Sequence, residues 1–458
     1  MVMGCSKVAL GQIALLSTAQ AFVLPAVGRS GLTTAHAVST PLPKLLKDEP
    51  AQQVVLPEWA GEPEDVAKWG TFAQIAYDVF PGEDVAGEDA FGLSKYHADP
   101  EAMSQYGLTL EYEIPAGDGA EKKMEYDFRE EFEVISMIYS KPRYDRDDVV
   151  WTGFVALGKA RPPEGRDVVV SWRGTQTGGE WKSNSQIMLV PWEAPSPVPE
   201  DDDEQAFRMR VVQDIFDGRD GVKVHRGFQL LYNRACNPVD CPDEFVSPRQ
   251  RVLGVVEGLR KEHKIRKVVV TGHSLGGAIA TLCAYDLAKP LDGEEAPAGD
   301  APVFAYTFAS PKVGNEAFAD EWNVVLDKHL RVANKKDVVT KGPNGWLQYL
   351  TTGGYVHTGT ELPLDSDELV DMGIMKSASM STAGESVGHL HNMEMYLHMV
   401  DRTRSMELLD KSDNLLTDEA CAQLLEKPVA PAWKWSQSDT TWPKYLDYYA
   451  EAQAQEEA

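Results

Sequence analysis

One serine, Ser274, lies in a setting that could make it a nucleophile. It occupies the centre of GHSLGG, residues 272 to 277, which carries the spacing Gly-x-Ser-x-Gly. Because an unassisted hydroxyl is a poor nucleophile, it needs an imidazole that accepts its proton and a carboxylate that holds this imidazole in one tautomer. The motif therefore predicts acyl transfer through a serine ester, provided that a histidine and an acid lie nearby.

Candidates for both partners follow Ser274 along the chain. Asp337 lies at the carboxyl end of a strand predicted over HLRVANKKDVV, and His391 lies in the first turn of a helix predicted over HLHNMEMYLHMV. Serine, acid, histidine is the chain order of α/β-hydrolases, in which catalytic groups gather at the carboxyl ends of strands. His225 precedes Ser274 and has the wrong order for a base. Order alone leaves the base open, because three more histidines follow Asp337, namely His357, His389 and His398.

The elements that must position Ser274 flank it directly. The run KVVV, residues 267 to 270, predicts a buried strand, and the small residues from Ala278 to Ala288 predict a helix that packs against a sheet. A strand-turn-helix elbow of this kind lifts the serine hydroxyl above the sheet edge and crowds the flanking positions. Gly272 and Gly276 are therefore expected to be required by the backbone.

Two backbone N–H groups are candidates for an oxyanion hole. Such a hole takes one donor from the residue after the nucleophile and one from an early strand-to-helix loop. Leu275 fits the first role, and Thr175, at the end of the predicted strand RDVVVSWRGT, fits the second.

The long stretch after Thr175, from Gln176 to Val222, contains few signals of regular structure. Loops of this length in a compact domain are usually functional lids or disordered. Its first part is rich in apolar residues, including Trp181, Ile187 and Met188, and predicts a lid from Gln176 to about Val190 that opens at a lipid surface.

The overall pattern predicts an α/β fold with a mostly parallel central sheet, helices on both faces and a lid. Residues 149–405 are expected to form the catalytic domain. Residues 48–148 are expected to be a covering region of helix and loop, with an amphipathic helix over Val66 to Phe80. Residues 406–458 are expected to be a tail that packs on or beside the domain.

Composition excludes several classes of protein. The chain has 458 residues and a formal net charge of -27, whereas nucleic-acid binding requires clustered basic residues. Among its 5 cysteines, only Cys236 and Cys241 are close enough in sequence to suggest a local disulfide, which stays open, and their spacing fits no zinc motif. No metal and no cofactor are expected. After the first residues, no apolar stretch approaches the ~20 residues of a transmembrane helix.

The first 47 residues predict a targeting leader. An apolar stretch from Val8 to Leu16 and the triplet Ala19-Gln20-Ala21 are typical of a secretory signal peptide. From Phe22 to Lys47 there is no acidic residue, which is typical of a transit peptide. The combination resembles the two-part plastid leaders of algae with secondary red plastids, and simple secretion into the endomembrane lumen or medium is the alternative.

Taken together, the motifs resemble the class 3, or fungal-type, lipases and more closely their plant phospholipase A1 branch. The departures are Thr340, which stands where the family usually has a proline, and the acidic insertion before KVHRGF. The matching segments include WGTFAQIAYD, VVVSWRGT, KVHRGF, TGHSLGGAIATLCAYDLA, FASPKVGN, RVANKKDVV, YVHTGTEL and HNMEMYLHMVD.

The resemblance implies a function and a set of roles. Ser274 would be the nucleophile, His391 the base and Asp337 its orienting acid, with Thr175 and Leu275 as oxyanion donors. It implies hydrolysis of glycerolipid esters, of the phospholipase A1 or galactolipase type, at a membrane or lipid-droplet surface. Triacylglycerol or diacylglycerol lipase activity and a catalytically silent lipid-binding protein are the alternatives.

Overall fold

The structure is a computed structural model, and it describes residues 56–80, 99–115, 121–141, 150–175, 184, 186–192, 221–234, 247–289, 301–343, 354–365 and 390–400. All of these residues belong to one compact unit. The predicted leader, the tail at 406–458, Trp181 and the pair Cys236 and Cys241 lie outside the described residues.

Eleven strands are present in the described residues, and seven of them form the central sheet. In chain order they are β1 (Thr109–Pro115), β2 (Glu121–Asp127), β3 (Phe132–Ser140), β4 (Val150–Gly158), β5 (Arg166–Trp172), β6 (Leu189–Pro191), β7 (Lys223–His225), β8 (Ile265–His273), β9 (Val303–Phe308), β10 (His329–Asn334) and β11 (Thr360–Leu364). The central sheet has the order β11-β10-β9-β8-β5-β4-β3, while β1 pairs with β2 and β6 with β7.

Seven α-helices accompany these strands in the part of the chain that the structure describes. They are α1 (Pro63–Asp78), α2 (Pro100–Ala102), α3 (Arg226–Asn233), α4 (Pro248–Glu262), α5 (Leu275–Ala288), α6 (Glu316–Val325) and α7 (Met393–Val400). Shorter helical turns lie at Glu58–Ala60, Met103–Gly107 and Val339–Lys341.

The sheet is parallel from β5 to β11 and antiparallel at β4 and β3. Val169 and Val269 face a core that includes α1 and α7. Their neighbours Val168 and Val268 face a second core built with α3, α4, α5 and α6. Because both faces are covered, the central parallel strands β5 and β8 each contain a run of three buried valines with no polar alternation. The predicted α/β fold with a mostly parallel sheet is confirmed.

The helix expected over Val66 to Phe80 is present as α1, and a second helix, α4, begins where Ser247 and Pro248 provide the local signals of a helix start. In α1 the side chains of Trp69 and Phe72 are buried, as the amphipathic pattern requires. The helix α4 begins after Ser247, whose hydroxyl accepts a hydrogen bond from the N–H of Gln250 in a capping box, and Pro248 occupies its first turn.

The helix-and-loop interpretation of residues 48–148 was wrong for its second half. Residues 109–140 contain β1, β2 and β3, and β3 is the edge strand of the central sheet, paired with β4. The boundary expected near residue 148 therefore falls between two paired strands. In β3 the residues from Met137 to Ser140 are all buried, so it lacks the polar and apolar alternation that would have identified it as a strand.

Candidate active site

The backbone around Ser274 has the conformation of the predicted elbow. β8 ends at His273, α5 begins at Leu275, and Ser274 between them has φ 58° and ψ -125°. A residue other than glycine in this region stores strain of roughly 1–3 kcal/mol. A Cβ on Gly272 would collide with the carbonyl oxygen of Gly276, and one on Gly276 would lie 2.6 Å from the carbonyl oxygen of Arg173. Both positions therefore require glycine.

The structure brings Ser274, Asp337 and His391 into one chain of hydrogen bonds. His391 Nε2 lies 2.8 Å from Ser274 Oγ, and His391 Nδ1 lies 2.7 Å from Asp337 Oδ2. An acceptor carboxylate at Nδ1 fixes the neutral tautomer that carries its proton there, which leaves Nε2 free to accept the serine proton. His391 lies two residues before α7, outside the first helical turn in which it was expected.

Asp337 is held by contacts on both of its oxygens. It lies in the turn after β10, with a fully buried side chain. Its Oδ1 accepts a hydrogen bond from the N–H of Val339 at 2.9 Å, and Oδ2 accepts a second one from the hydroxyl of Tyr396 at 2.8 Å. The side chain of Thr340 donates to the carbonyl oxygen of Asp337 at 3.0 Å and so closes this turn.

Tyr396 is a residue of this site that the sequence analysis missed. Its hydroxyl donates to Asp337 and accepts a hydrogen bond from the N–H of Asn334 at 2.9 Å. Burial, and then the charge of Asp337, raises its pKa well above the usual value, so it remains a donor. The only available signal was its place in the helix predicted to follow His391, and that signal does not reveal the direction in which a side chain points.

A second histidine, His273, lies against the first. Its ring centroid is 4.8 Å from that of His391, and its Nδ1 lies 2.8 Å from the hydroxyl of Tyr77. Burial, followed by the proximity of His391, lowers the pKa of His273 well below its ordinary value. His273 is therefore neutral and does not compete as a base.

Helix α1, expected as an amphipathic helix, supports the elbow. In addition to the contact of Tyr77 with His273, the carbonyl oxygen of Trp69 accepts a hydrogen bond from Thr271 at 2.9 Å. The carbonyl oxygen of Phe72 accepts one from Ser171 at 2.8 Å. Both hydroxyl groups belong to the two sheet strands that lead to the site.

The candidate oxyanion donors follow two adjacent strands. Leu275 is the first residue of α5, where the N–H groups have no partner within the helix, and Thr175 follows β5, the neighbour of β8. The loop that carries Thr175 is fixed by Arg173, whose guanidinium donates to the carbonyl oxygens of Trp151 and Gly174, each at 2.7 Å. The Thr175 hydroxyl accepts a hydrogen bond from Asn184 Nδ2 at 2.7 Å.

The predicted lid ends earlier than expected. Leu189 is buried in β6, which pairs with β7, and the carbonyl oxygen of Met188 accepts a hydrogen bond from the N–H of Arg226 at 2.9 Å. The carbonyl oxygen of Ile187 accepts one from the hydroxyl of Tyr355 at 2.7 Å. Residues 187–190 are thus docked on the domain, and residues 176–183 and 185 of the predicted lid lie outside the described residues.

Two of the other candidate histidines, His225 and His357, have structural contacts. His225 is buried at the start of α3, where its Nδ1 accepts a hydrogen bond from the N–H of Phe228, and burial lowers its pKa to about 3. His357 Nε2 lies 2.7 Å from the carbonyl oxygen of Thr340, and burial lowers its pKa to about 4. His389 lies outside the described residues.

The described ranges also bear on metal binding and on membrane crossing. No cluster of three His, Cys, Asp or Glu side chains there could hold a metal ion. None of the helices described has both the length and the apolar character needed to cross a bilayer.

The segment around this site is similar to known proteins. Residues 169–346 match the family model "Lipase (class 3)". Phospholipase A1-Igamma2, chloroplastic, of Arabidopsis thaliana is 27% identical over 82% of this chain and 70% of its own length. Galactolipase DONGLE, chloroplastic, of the same plant is 28% identical over 62% of this chain and 58% of its own length.

A third relative, phospholipase A1 EG1, chloroplastic/mitochondrial, of Oryza sativa subsp. indica, is 34% identical over 48% of this chain and 49% of its own length. The matches thus span from about half to 70% of the lengths of these relatives. The segment that matches the class 3 lipase model contains the end of β5, the elbow and Asp337.

Proposed function

We propose that this protein is a serine hydrolase that cleaves the acyl esters of glycerolipids, of the phospholipase A1 or galactolipase type. The observation that carries the proposal is the continuous contact from Asp337 through His391 to Ser274, with distances of 2.7 and 2.8 Å. Each atom in it has the role that acyl transfer requires of it.

The reaction follows from these positions. Ser274 Oγ attacks the ester carbonyl carbon while His391 Nε2 takes its proton, and Asp337 stabilises the imidazolium and stays ionised. The N–H groups of Leu275 and Thr175 donate to the oxyanion, a contribution of about 3 kcal/mol for one donor. His391 then protonates the departing glycerol oxygen. Water, deprotonated by His391, attacks the acyl-serine and releases the fatty acid.

A glycerolipid substrate is supported by the surface around the site. Ile187, Met188, Val338 and Val356 are exposed, and they lie on loops that also carry Asp337 or contact Tyr355. Apolar side chains in this position favour contact with a lipid surface, because burying them gains about 25 cal/mol per Å². Phospholipase A1 and galactolipase are the activities named for the relatives.

A plastid location is part of the proposal. The relatives reported above are named chloroplastic, and the acid-free stretch from Phe22 to Lys47 has transit-peptide composition. A fluorescent fusion of residues 1–50 is expected to enter the plastid, and Phe22→Ala to divert it. Secretion of both fusions would instead support a simple signal peptide.

The decisive experiment is lipid profiling with the purified protein. Phosphatidylcholine, a galactolipid, diacylglycerol and triacylglycerol are each presented in the same detergent micelles, and released fatty acid and lysolipid are identified by mass spectrometry. Ser274→Ala is the matched control, and lysolipid with the sn-2 chain retained is the expected product. Release from neutral acylglycerols alone would favour the storage-lipid alternative. Binding without release of fatty acid from any of them would favour the silent lipid-binding protein.

A further inference from the structure

A cavity of about 340 Å³ opens beside the turn that carries Asp337. Its volume is within the range of ~300–1,000 Å³ that small-molecule sites occupy. Four cationic side chains and one carboxylate line it among the described residues, namely Lys312, Arg331, Lys335, Lys341 and Glu361. This local excess of positive charge stands out in a chain with a net charge of -27.

Arg331 lines the cavity with a guanidinium that is nearly buried. Its side chain is 8% exposed, and one terminal nitrogen is paired with Glu361, its register partner on β11. The Nε of Arg331 is buried and has no hydrogen-bond partner among the described residues. A buried donor left in this way is costly, and the planar guanidinium is well shaped for a tetrahedral anion.

The remaining groups leave the cavity cationic near neutral pH. His357 lies on its wall, and burial lowers its pKa to about 4, so the ring is neutral. Lys335 has an ion pair with Asp365 at 3.2 Å, and that pair is half exposed. Burial, and then the charge of Arg331, lowers the pKa of Lys312. An anion bound in the cavity would stabilise the charged lysine and so raise this pKa again.

The cavity also shares its wall with the candidate active site. Thr340 lines it and donates a hydrogen bond to the carbonyl oxygen of Asp337. Asn334 lines it as well, and the N–H of Asn334 donates to the hydroxyl of Tyr396. An anion bound in the cavity would thus lie beside the residues that hold the catalytic acid.

We propose that this cavity is an anion site for a phosphate or sulfonate group, supplied by the headgroup of an anionic glycerolipid or by free phosphate. The lipid source rests on the proposed function, whereas the anion site does not. The Debye length is about 8 Å at physiological ionic strength, so distant acidic residues contribute little to the field in the cavity and its own cations dominate.

The test measures binding in the Ser274→Ala background, so that no substrate is consumed. Lys312→Gln with Lys341→Gln removes two cations that are not fully buried, and Arg331 is left in place to preserve the fold. Lys336→Gln is the matched control, because this exposed lysine lies next to Lys335 and does not line the cavity. Inorganic phosphate is titrated at constant ionic strength, and cosedimentation is measured with phosphatidylglycerol vesicles and with neutral galactolipid vesicles.

We expect the double variant to bind phosphate and phosphatidylglycerol vesicles at least tenfold more weakly, since it loses two cations that would form charge-assisted hydrogen bonds with the anion. Binding to galactolipid vesicles and the behaviour of Lys336→Gln should not change. A loss confined to inorganic phosphate would support the site and assign it to the free ion. Equal binding by all variants would overturn the proposal. Failure of the wild-type protein to hydrolyse any ester would overturn the proposed function alone, because these measurements need no turnover.

Discussion

Two regions meet at the hydroxyl of Ser274, and they are held in place in different ways. The elbow, residues 272–277, is fixed by backbone contacts so close that Gly272 and Gly276 have no room for a Cβ. The segment from Leu390 to Tyr396 is fixed by side chains, through the hydrogen bonds of His391 and Tyr396 to Asp337. The nucleophile therefore depends on local chain geometry, and the base depends on partners distant in sequence.

The difference predicts two kinds of failure. A change in the elbow should act mainly on folding, because backbone atoms that collide cannot relax without moving β8 and α5. A change in the segment that carries His391 should act mainly on the rate, because a lost side-chain contact shifts the imidazole without disturbing the sheet.

The largest expected effect tests whether the elbow and the segment that carries His391 act as one catalytic unit. Ser274→Ala and His391→Ala should each lower kcat on p-nitrophenyl butyrate by a factor of about 10⁶, since members of one triad fail as a unit. His389→Ala is the control and should retain the wild-type rate. If His389→Ala is folded and as inactive as His391→Ala, His391 is not the specific base of the triad.

A smaller effect isolates the elbow. Gly276→Ala places a Cβ against the carbonyl oxygens of Trp172 and Arg173, and we expect a loss of about 3 kcal/mol in the free energy of unfolding, as for overpacked sites. Gly258→Ala in α4 is the matched control, because nothing lies within 4 Å of the added Cβ. Urea unfolding should show the control to be neutral or slightly stabilised, and equal stability of both variants would contradict the collision.

The pH dependence of stability distinguishes the histidine of the elbow from that of the other region. His273 has a lowered pKa in the folded protein, so below about pH 6.5 the unfolded chain binds a proton that the folded protein does not. Its contribution is therefore present above about pH 6.5 and is lost progressively as the pH falls below that value.

His273→Gln should remove that part of the acid sensitivity. The free energy of unfolding is measured in urea near pH 7 and near pH 5 for both proteins, and the loss on acidification should be smaller in the variant. The slope that remains belongs to other groups, including His225 and His329, whose pKa values burial lowers to about 3. Identical slopes would show that His273 binds its proton in the folded protein.

The smallest effect concerns the support of the base. Tyr396→Phe removes the hydroxyl that donates to Asp337, and we expect about a tenfold lower kcat on a soluble ester with an unchanged KM, in keeping with one hydrogen bond of about 1.5 kcal/mol. Tyr306→Phe is the control, since its buried hydroxyl donates to the carbonyl oxygen of Ala60. A comparable fall in kcat for both variants would mean that the effect is only structural.

The same contrast explains what could be predicted from the sequence. The elbow, the helix α1 and the cap at Ser247 depend on residues close together in the chain, and local patterns identified all three. Tyr396 and Tyr77 contact the site across 59 and 196 residues of sequence. Neither contact leaves a periodic signal.

Strand β3 and the end of the lid were missed for related reasons. The β3 strand is recognisable mainly from its pairing with β4, since acidic residues precede it and its second half is uniformly buried. Leu189 is apolar like its neighbours, and only the pairing of β6 with β7 shows that it is anchored.

The pairing of β6 with β7 affects which changes in chain length the protein can tolerate. The N–H of Trp192 donates to the carbonyl oxygen of Val222 at 2.9 Å, and the guanidinium of Arg249 lies 4.7 Å from the centre of the Trp192 ring. Trp192 and Val222 are therefore held together, and the sequence between them contains the acidic run from Glu200 to Glu204. Doubling the length of a loop adds only about 0.6 kcal/mol to the cost of closing it. Residues can therefore be inserted, exchanged or deleted between Trp192 and Val222 at little cost in stability, while Ser274, Asp337 and His391 keep their positions.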